Sequence, residues 1–108
     1  MIWLNGGIHA REWITPASLI YLVKQLLTSD NAKIKSALSK YDFHILPVFN
    51  IDGFVYTHKS KDTRLWRKTR TNSGYKCIGV DPNRNWGSSF GGKFYKLKFI
   101  LKSLIPYT

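Results

Sequence analysis

Three short segments carry side chains whose types and spacing suit chemistry. The first is His9-Ala10-Arg11-Glu12. A catalytic zinc takes three protein ligands from nitrogen and oxygen donors and keeps a fourth position for water. A histidine and a glutamate three residues apart on one turn can face the same point, so His9 and Glu12 are candidate metal ligands. A pattern this short also arises by chance. His44 and His58 are not evident third ligands: His44 sits in an apolar run and reads as a core or edge histidine, and His58 sits in a polar loop and reads as solvated. The second segment is Leu65-Trp66-Arg67-Lys68-Thr69-Arg70, whose closely spaced cations can bind a carboxylate or phosphate. An arginine beside a metal can also stabilise an oxyanion as it develops. Composition alone favours a solvated basic loop anchored by Trp66. The third is Asp81-Pro82-Asn83-Arg84-Asn85-Trp86. Arg84 can give two parallel hydrogen bonds to a carboxylate and Asn83 one more, which suits a free peptide C-terminus. An Asx-rich turn would read the same way.

Stepping from these residues to the elements that must hold them, residues 1–4 form an apolar run that Asn5-Gly6-Gly7 ends abruptly, the pattern of a buried strand opening into a loop. The pair His9 and Glu12 would then stand at the strand's carboxyl edge, where α/β proteins place their sites. Thr15-Pro16 is a helix start, with threonine as N-cap. Leu19, Leu22, Val23, Leu26 and Leu27 follow at helical spacing. Ser29-Asp30-Asn31 breaks that run and can cap a second, shorter helix bearing Ile34, Ala37, Leu38 and Tyr41. Residues 43–49 read as a central strand, with Pro47 arguing against full pairing at its end, and Asn50-Ile51-Asp52-Gly53 reads as a turn. From residue 57 to 90 the periodicity fades into a long irregular stretch, often a functional feature. Strand, helix, helix, strand predicts an α/β layered fold.

The chain has 108 residues, 44% hydrophobic and 15% aromatic, which is the composition of one small globular domain and not of a disordered segment. No run approaches the roughly 18 apolar residues of a membrane span. The formal net charge of +11 would attract anions such as nucleic acid, acidic membrane or acidic peptide tails. The basic residues do not form one block, which fits equally a skewed piece of a longer protein. Cys77 is the single cysteine and has no internal partner. No secretory signal is read after Met1.

Taken together, four stretches resemble the M14 family of zinc metallocarboxypeptidases, in the carboxypeptidase A/B branch. They are Gly6-Gly7-Ile8-His9-Ala10-Arg11-Glu12-Trp13-Ile14, Leu46-Pro47-Val48-Phe49-Asn50-Ile51-Asp52-Gly53-Phe54, Arg64-Leu65-Trp66-Arg67-Lys68-Thr69-Arg70 and Cys77-Ile78-Gly79-Val80-Asp81-Pro82-Asn83-Arg84-Asn85-Trp86. The resemblance implies an α/β, partial mixed-sheet layered fold truncated to the N-terminal part of the catalytic domain over residues 1–92, with residues 93–108 a non-homologous basic and apolar tail. It implies one Zn²⁺ with His9 and Glu12 as two ligands and Arg67 as the catalytic oxyanion donor. By the same resemblance Asn83 and Arg84 grip the substrate's terminal carboxylate, together with Arg67, and Arg11 lines outer subsites. The implied substrate is a peptide or protein C-terminus and the implied location is extracellular. The family's third zinc ligand, capping tyrosine, general-base glutamate and the partner of Cys77 all belong to later segments that these residues do not match. The 108 residues alone are therefore expected to be inactive and poorly soluble.

Two other readings compete. A catalytically dead homologue would bind peptide C-termini through Arg67, Asn83 and Arg84 without turnover. A basic module would bind nucleic acid or heparin-like glycans with an affinity that falls steeply with salt and survives chelation.

Overall fold

The computed structural model describes residues 1–72, Gly74 and residues 77–87. Residues 88–108, with the expected tail over 93–108, lie outside these. The described chain runs β1 (Ile2–Asn5), α1 (Ile14–Thr28), α2 (Ala32–Lys40), β2 (Phe43–Leu46) and α3 (Ile51–Tyr56), then an irregular stretch ending in a single 3₁₀ turn over Pro82–Arg84.

β1 and β2 pair in parallel, Ile2 opposite Phe43 through Asn5 opposite Leu46. Parallel neighbours need a long crossover, and α1 with α2 supply it. The pairing outlasts the strands. Gly6 N–H donates to the Leu46 carbonyl at 3.0 Å, Phe49 N–H to the Gly6 carbonyl at 2.9 Å and Asn50 N–H to the Gly7 carbonyl at 3.0 Å. Both chains therefore leave the sheet together at its carboxyl edge. Gly7 is needed there: its φ is +64°, and a β-carbon would press on Pro16 Cγ and Val48 Cα, each at 3.3 Å. Pro47, which has no N–H to give, stands just past the end of β2, so regular pairing stops there as expected and the hydrogen bonds resume at Phe49.

Two local expectations change. Thr15 is not the N-cap of α1; the helix begins at Ile14 behind Trp13. Thr15 lies inside the first turn, where its hydroxyl donates to the Glu12 carbonyl (3.0 Å) and accepts from Gly7 N–H (2.8 Å). The threonine thus staples the loop to the helix instead of capping it. Asn50-Ile51-Asp52-Gly53 is not an isolated turn but the start of α3, with Asn50 Oδ1 accepting from Gly53 N–H at 3.1 Å. Asn31 caps α2 as its composition suggests, its Oδ1 accepting from Lys33 N–H at 2.9 Å.

Burial is concentrated beside the sheet edge and not within the helices. Ala10 is buried beside His9, Asn50 and Thr57, and Pro16 is the buried residue of α1. Ile14, Ile20, Tyr21 and Leu27 on α1 stay exposed. The apolar face predicted for α1 is thus only partly covered by the described residues.

Candidate active site

His9 opens a turn closed by Glu12 N–H donating to the His9 carbonyl at 3.2 Å. The turn is anchored at its centre, because Ala10 N–H donates to the carbonyl of Arg67 at 3.1 Å. Asn50 braces both segments: its Nδ2 donates to the Lys68 carbonyl at 3.0 Å and to the Ile8 carbonyl at 3.4 Å. A buried amide satisfied on both its oxygen and its nitrogen holds its neighbours in one arrangement. Arg67 is thereby placed against the turn although it lies more than fifty residues away in sequence.

The Asp81 segment is brought in next. Thr69 N–H donates to the Val80 carbonyl and Val80 N–H to Thr69 Oγ1, both at 3.0 Å, while Gly79 N–H donates to the Thr71 carbonyl at 2.9 Å. Gly79 has φ +74°, and a β-carbon there would collide with the Thr69 carbonyl. Only glycine permits this close pairing, which delivers Asp81 beside Arg67.

Four polar side chains meet as a result. His9 Nδ1 lies 2.9 Å from Glu12 Oε1, and His9 Nε2 lies 3.2 Å from Asp81 Oδ1. Arg67 Nε donates to Asp81 Oδ2 at 2.9 Å, and its Nη1 stands 3.5 Å from Glu12 Oε1. Asp81 Oδ1 also accepts from Asn83 N–H at 3.0 Å, capping the 3₁₀ turn. Burial pushes the Asp81 carboxyl up. The Arg67 hydrogen bond, the Asn83 N–H, the Arg67 charge and the His9 contact together outweigh this and hold it below the ordinary aspartate value.

The residues fit a zinc ion. Ideal zinc–nitrogen and zinc–oxygen bonds in tetrahedral geometry put two ligand atoms about 3.3 Å apart, a few tenths of an ångström wider than the His9 Nδ1 to Glu12 Oε1 separation. His9 also offers its other ring nitrogen to a carboxylate, the arrangement that fixes the tautomer of metal-bound histidines. Among the described residues no cluster of three His, Cys, Asp or Glu side chains is placed to hold a metal. His44 stacks on Trp3 at the open sheet (6.0 Å between rings). His58 stacks on Trp13 at 4.2 Å, so it is exposed yet packed rather than freely solvated.

The structure thus brings His9, Glu12 and Arg67 together and, through Asp81, sets the Asn83-Arg84 turn beside them. Asn83 and Arg84 are exposed, and Arg84 Nη1 donates to the Asn83 carbonyl at 2.9 Å. The Arg11 side chain is exposed, and its carbonyl accepts from Arg64 Nη1 at 2.9 Å. Sequence reasoning gave no role to Asp81 or Asn50. An aspartate directly ahead of Pro-Asn-Arg was the available signal for the first, since a candidate metal histidine needs a carboxylate or carbonyl for its second nitrogen. Nothing local marked Asn50 as a cross-brace.

A histidine and glutamate side by side, with an aspartate and an arginine against them, stand together at the carboxyl edge of a parallel α/β sheet. Comparison with known proteins assigns the family. The zinc carboxypeptidase family model matches residues 1–99, past the Gly92 limit of the motif resemblance. Mouse carboxypeptidase A4 is 52% identical over 95 residues, covering 85% of this chain and 22% of that protein. Zinc carboxypeptidase A 1 of Drosophila melanogaster is 55% identical over 86 residues, covering 80% of this chain and 19% of that protein. The crystal structure of thrombin activatable fibrinolysis inhibitor superposes with a TM-score of 0.75 at 38% identity, over 83% of this chain and 23% of that one. The chain belongs to the zinc carboxypeptidase family and has its α/β fold in part. It spans only about a fifth of the length of these relatives.

Proposed function

We propose that the chain forms part of a metallocarboxypeptidase that removes single residues from peptide C-termini, in which His9 Nδ1 and Glu12 Oε1 hold one Zn²⁺ alongside a ligand from outside the described residues. The carrying observation is the 2.9 Å convergence of those two atoms with Arg67 and Asp81 locked against them. Zinc bound there supplies a Lewis acid for the scissile carbonyl and an acidified water. Asp81 keeps the His9 ring oriented. It also occupies Arg67 Nε, and with Nη1 turned to Glu12 at 3.5 Å, Nη2 is the guanidinium nitrogen left to meet an oxyanion. Asn83 and Arg84, exposed on the adjoining turn, grip the terminal carboxylate and so fix which bond is presented. Arg11, exposed on the His9–Glu12 turn, faces residues further from the cleaved end. An extracellular location fits this role, and no described helix is long and apolar enough to cross a membrane.

By the resemblance the general-base glutamate, worth about 10²–10⁴ in rate, lies in a later segment, so the 108 residues alone should bind peptide without turnover. The test compares a tripeptide carrying a free C-terminus with its C-terminal amide, by calorimetry. The free acid should bind about tenfold or more tighter, since a charge-assisted hydrogen bond contributes about 1.5–3 kcal/mol. Arg84→Ala should abolish the difference. Equal binding of acid and amide by the unsubstituted chain would remove the clamp from this site.

A further inference from the structure

A second charged surface lies on the irregular stretch after α3. Tyr56 and Trp66 meet edge to face at 5.3 Å. Arg70 lays its guanidinium over both, 3.7 Å from the Tyr56 ring centre and 4.6 Å from that of Trp66. Lys59 Nζ stands 5.6 Å from the Tyr56 ring and Lys68 Nζ 5.5 Å from the Trp66 ring. Through the shared rings, Lys59 and Lys68 are each within about 10 Å of Arg70, roughly one Debye length at ordinary ionic strength, so the three fields add. None of the three forms an ion pair among the described residues; the carboxylates of Glu12, Asp81 and Asp30 are engaged elsewhere. Asp52, one helical turn before Tyr56, and Asp62, three residues after Lys59, form no ion pair with these cations, and cations gathered on one platform without a paired carboxylate make an anion receptor.

We propose that Lys59, Lys68 and Arg70, set on the Tyr56–Trp66 platform, bind a sulfated polysaccharide at a surface separate from the zinc site. The aromatic faces decide between polyanions. Single-stranded nucleic acid gains its affinity from bases stacked on open rings. Here Arg70 covers Tyr56 and Trp66, and Trp13 nearby is sandwiched between Arg64 at 3.7 Å and His58 at 4.2 Å. What remains on offer is positive charge at spaced points, which sulfate groups meet without stacking. Each such contact releases counterions and steepens the dependence of affinity on salt.

The test measures binding of a heparin-derived dodecasaccharide to the full 108-residue chain across a sodium chloride series, with a zinc chelator present throughout. Replacing Lys59, Lys68 and Arg70 by glutamine should lower the slope of log affinity against log salt by about three, near one per contact. The same charge loss on α2, with Lys33, Lys35 and Lys40 changed to glutamine, should leave the slope within about one of the unsubstituted chain. The double substitution Lys59→Gln/Lys68→Gln keeps the Arg70 stack and should cost about two, with unchanged tryptophan fluorescence. Equal losses in the platform and α2 variants would overturn the proposal, as would absence of binding at low salt. Tighter binding of an oligothymidylate of equal charge would assign the surface to nucleic acid instead.

Discussion

Asp81→Asn isolates what orients His9, the proposed metal ligand, because it removes a charge while keeping the shape. The carboxylate takes three hydrogen bonds: from His9 Nε2 (3.2 Å) and Asn83 N–H (3.0 Å) on Oδ1, and from Arg67 Nε (2.9 Å) on Oδ2. An asparagine has one acceptor oxygen. If that oxygen keeps the first pair, its NH₂ faces Arg67 donor to donor; turned the other way, the amide sets donors against His9 and Asn83. One side of the network is lost in either rotamer. A hydrogen bond to a charged group contributes about 1.5–3 kcal/mol, and the Asp81 side chain at 23% exposure is only partly screened. Loss of a metal-orienting carboxylate costs about 10–100-fold in metal affinity, or about 1.4–2.8 kcal/mol, which is the same scale. The assay is competition for Zn²⁺ against a chromophoric chelator at neutral pH, on unsubstituted, Asp81→Asn and His9→Ala chains, with far-ultraviolet circular dichroism to confirm equal folding. We expect Asp81→Asn to weaken zinc by at least tenfold and His9→Ala to abolish specific binding. Unchanged zinc affinity in a folded Asp81→Asn chain would refute the idea that this carboxylate orients His9.

Acid should unlock the same cluster. The folded Asp81 carboxyl titrates below its unfolded value of 3.8, so its contribution to stability is complete above that value and drains as pH falls through the lower folded one. Tryptophan fluorescence followed into that range should show a transition component that Asp81→Asn lacks. Gly79→Ala should destabilise by about 1–2 kcal/mol for the left-handed backbone alone, and more for the collision with the Thr69 carbonyl. Urea titration should show this, and zinc affinity should fall with it as Asp81 loses its place. Asn50→Ala should strand the Ile8 carbonyl and the Gly53 N–H and cut the tie to the Lys68 carbonyl, which keeps its 2.7 Å bond from Trp66 Nε1, costing about 1–3 kcal/mol by urea titration.

The meeting of His9 and Glu12 was legible in the sequence because it is local. A histidine and glutamate three apart after a strand and two glycines share one turn whatever lies elsewhere, and the helices of the crossover follow from the spacing of Leu19, Leu22, Val23 and Leu26. The capping by Asn31 and the weakness of pairing at Pro47 are local too. Thr15 and Asn50 were misread for the complementary reason: each has a good local use, as a cap or a turn, and the fold spends each on contacts that local spacing does not encode. Thr15 reaches Gly7, and Asn50 reaches Ile8 and Lys68.

The sequence by itself determined which side chains are chemically able to hold a metal, receive an oxyanion and grip a carboxylate, because those capacities belong to residue types. Only the tertiary structure decided that Arg67 and Asp81 stand against His9. Their approach depends on backbone hydrogen bonds from Ala10 to Arg67 and between residues 69–71 and 79–80, and on a glycine that lets two segments touch. Such pairings leave no periodic trace in a chain, since they are fixed by where carbonyls and N–H groups meet once the sheet edge has formed.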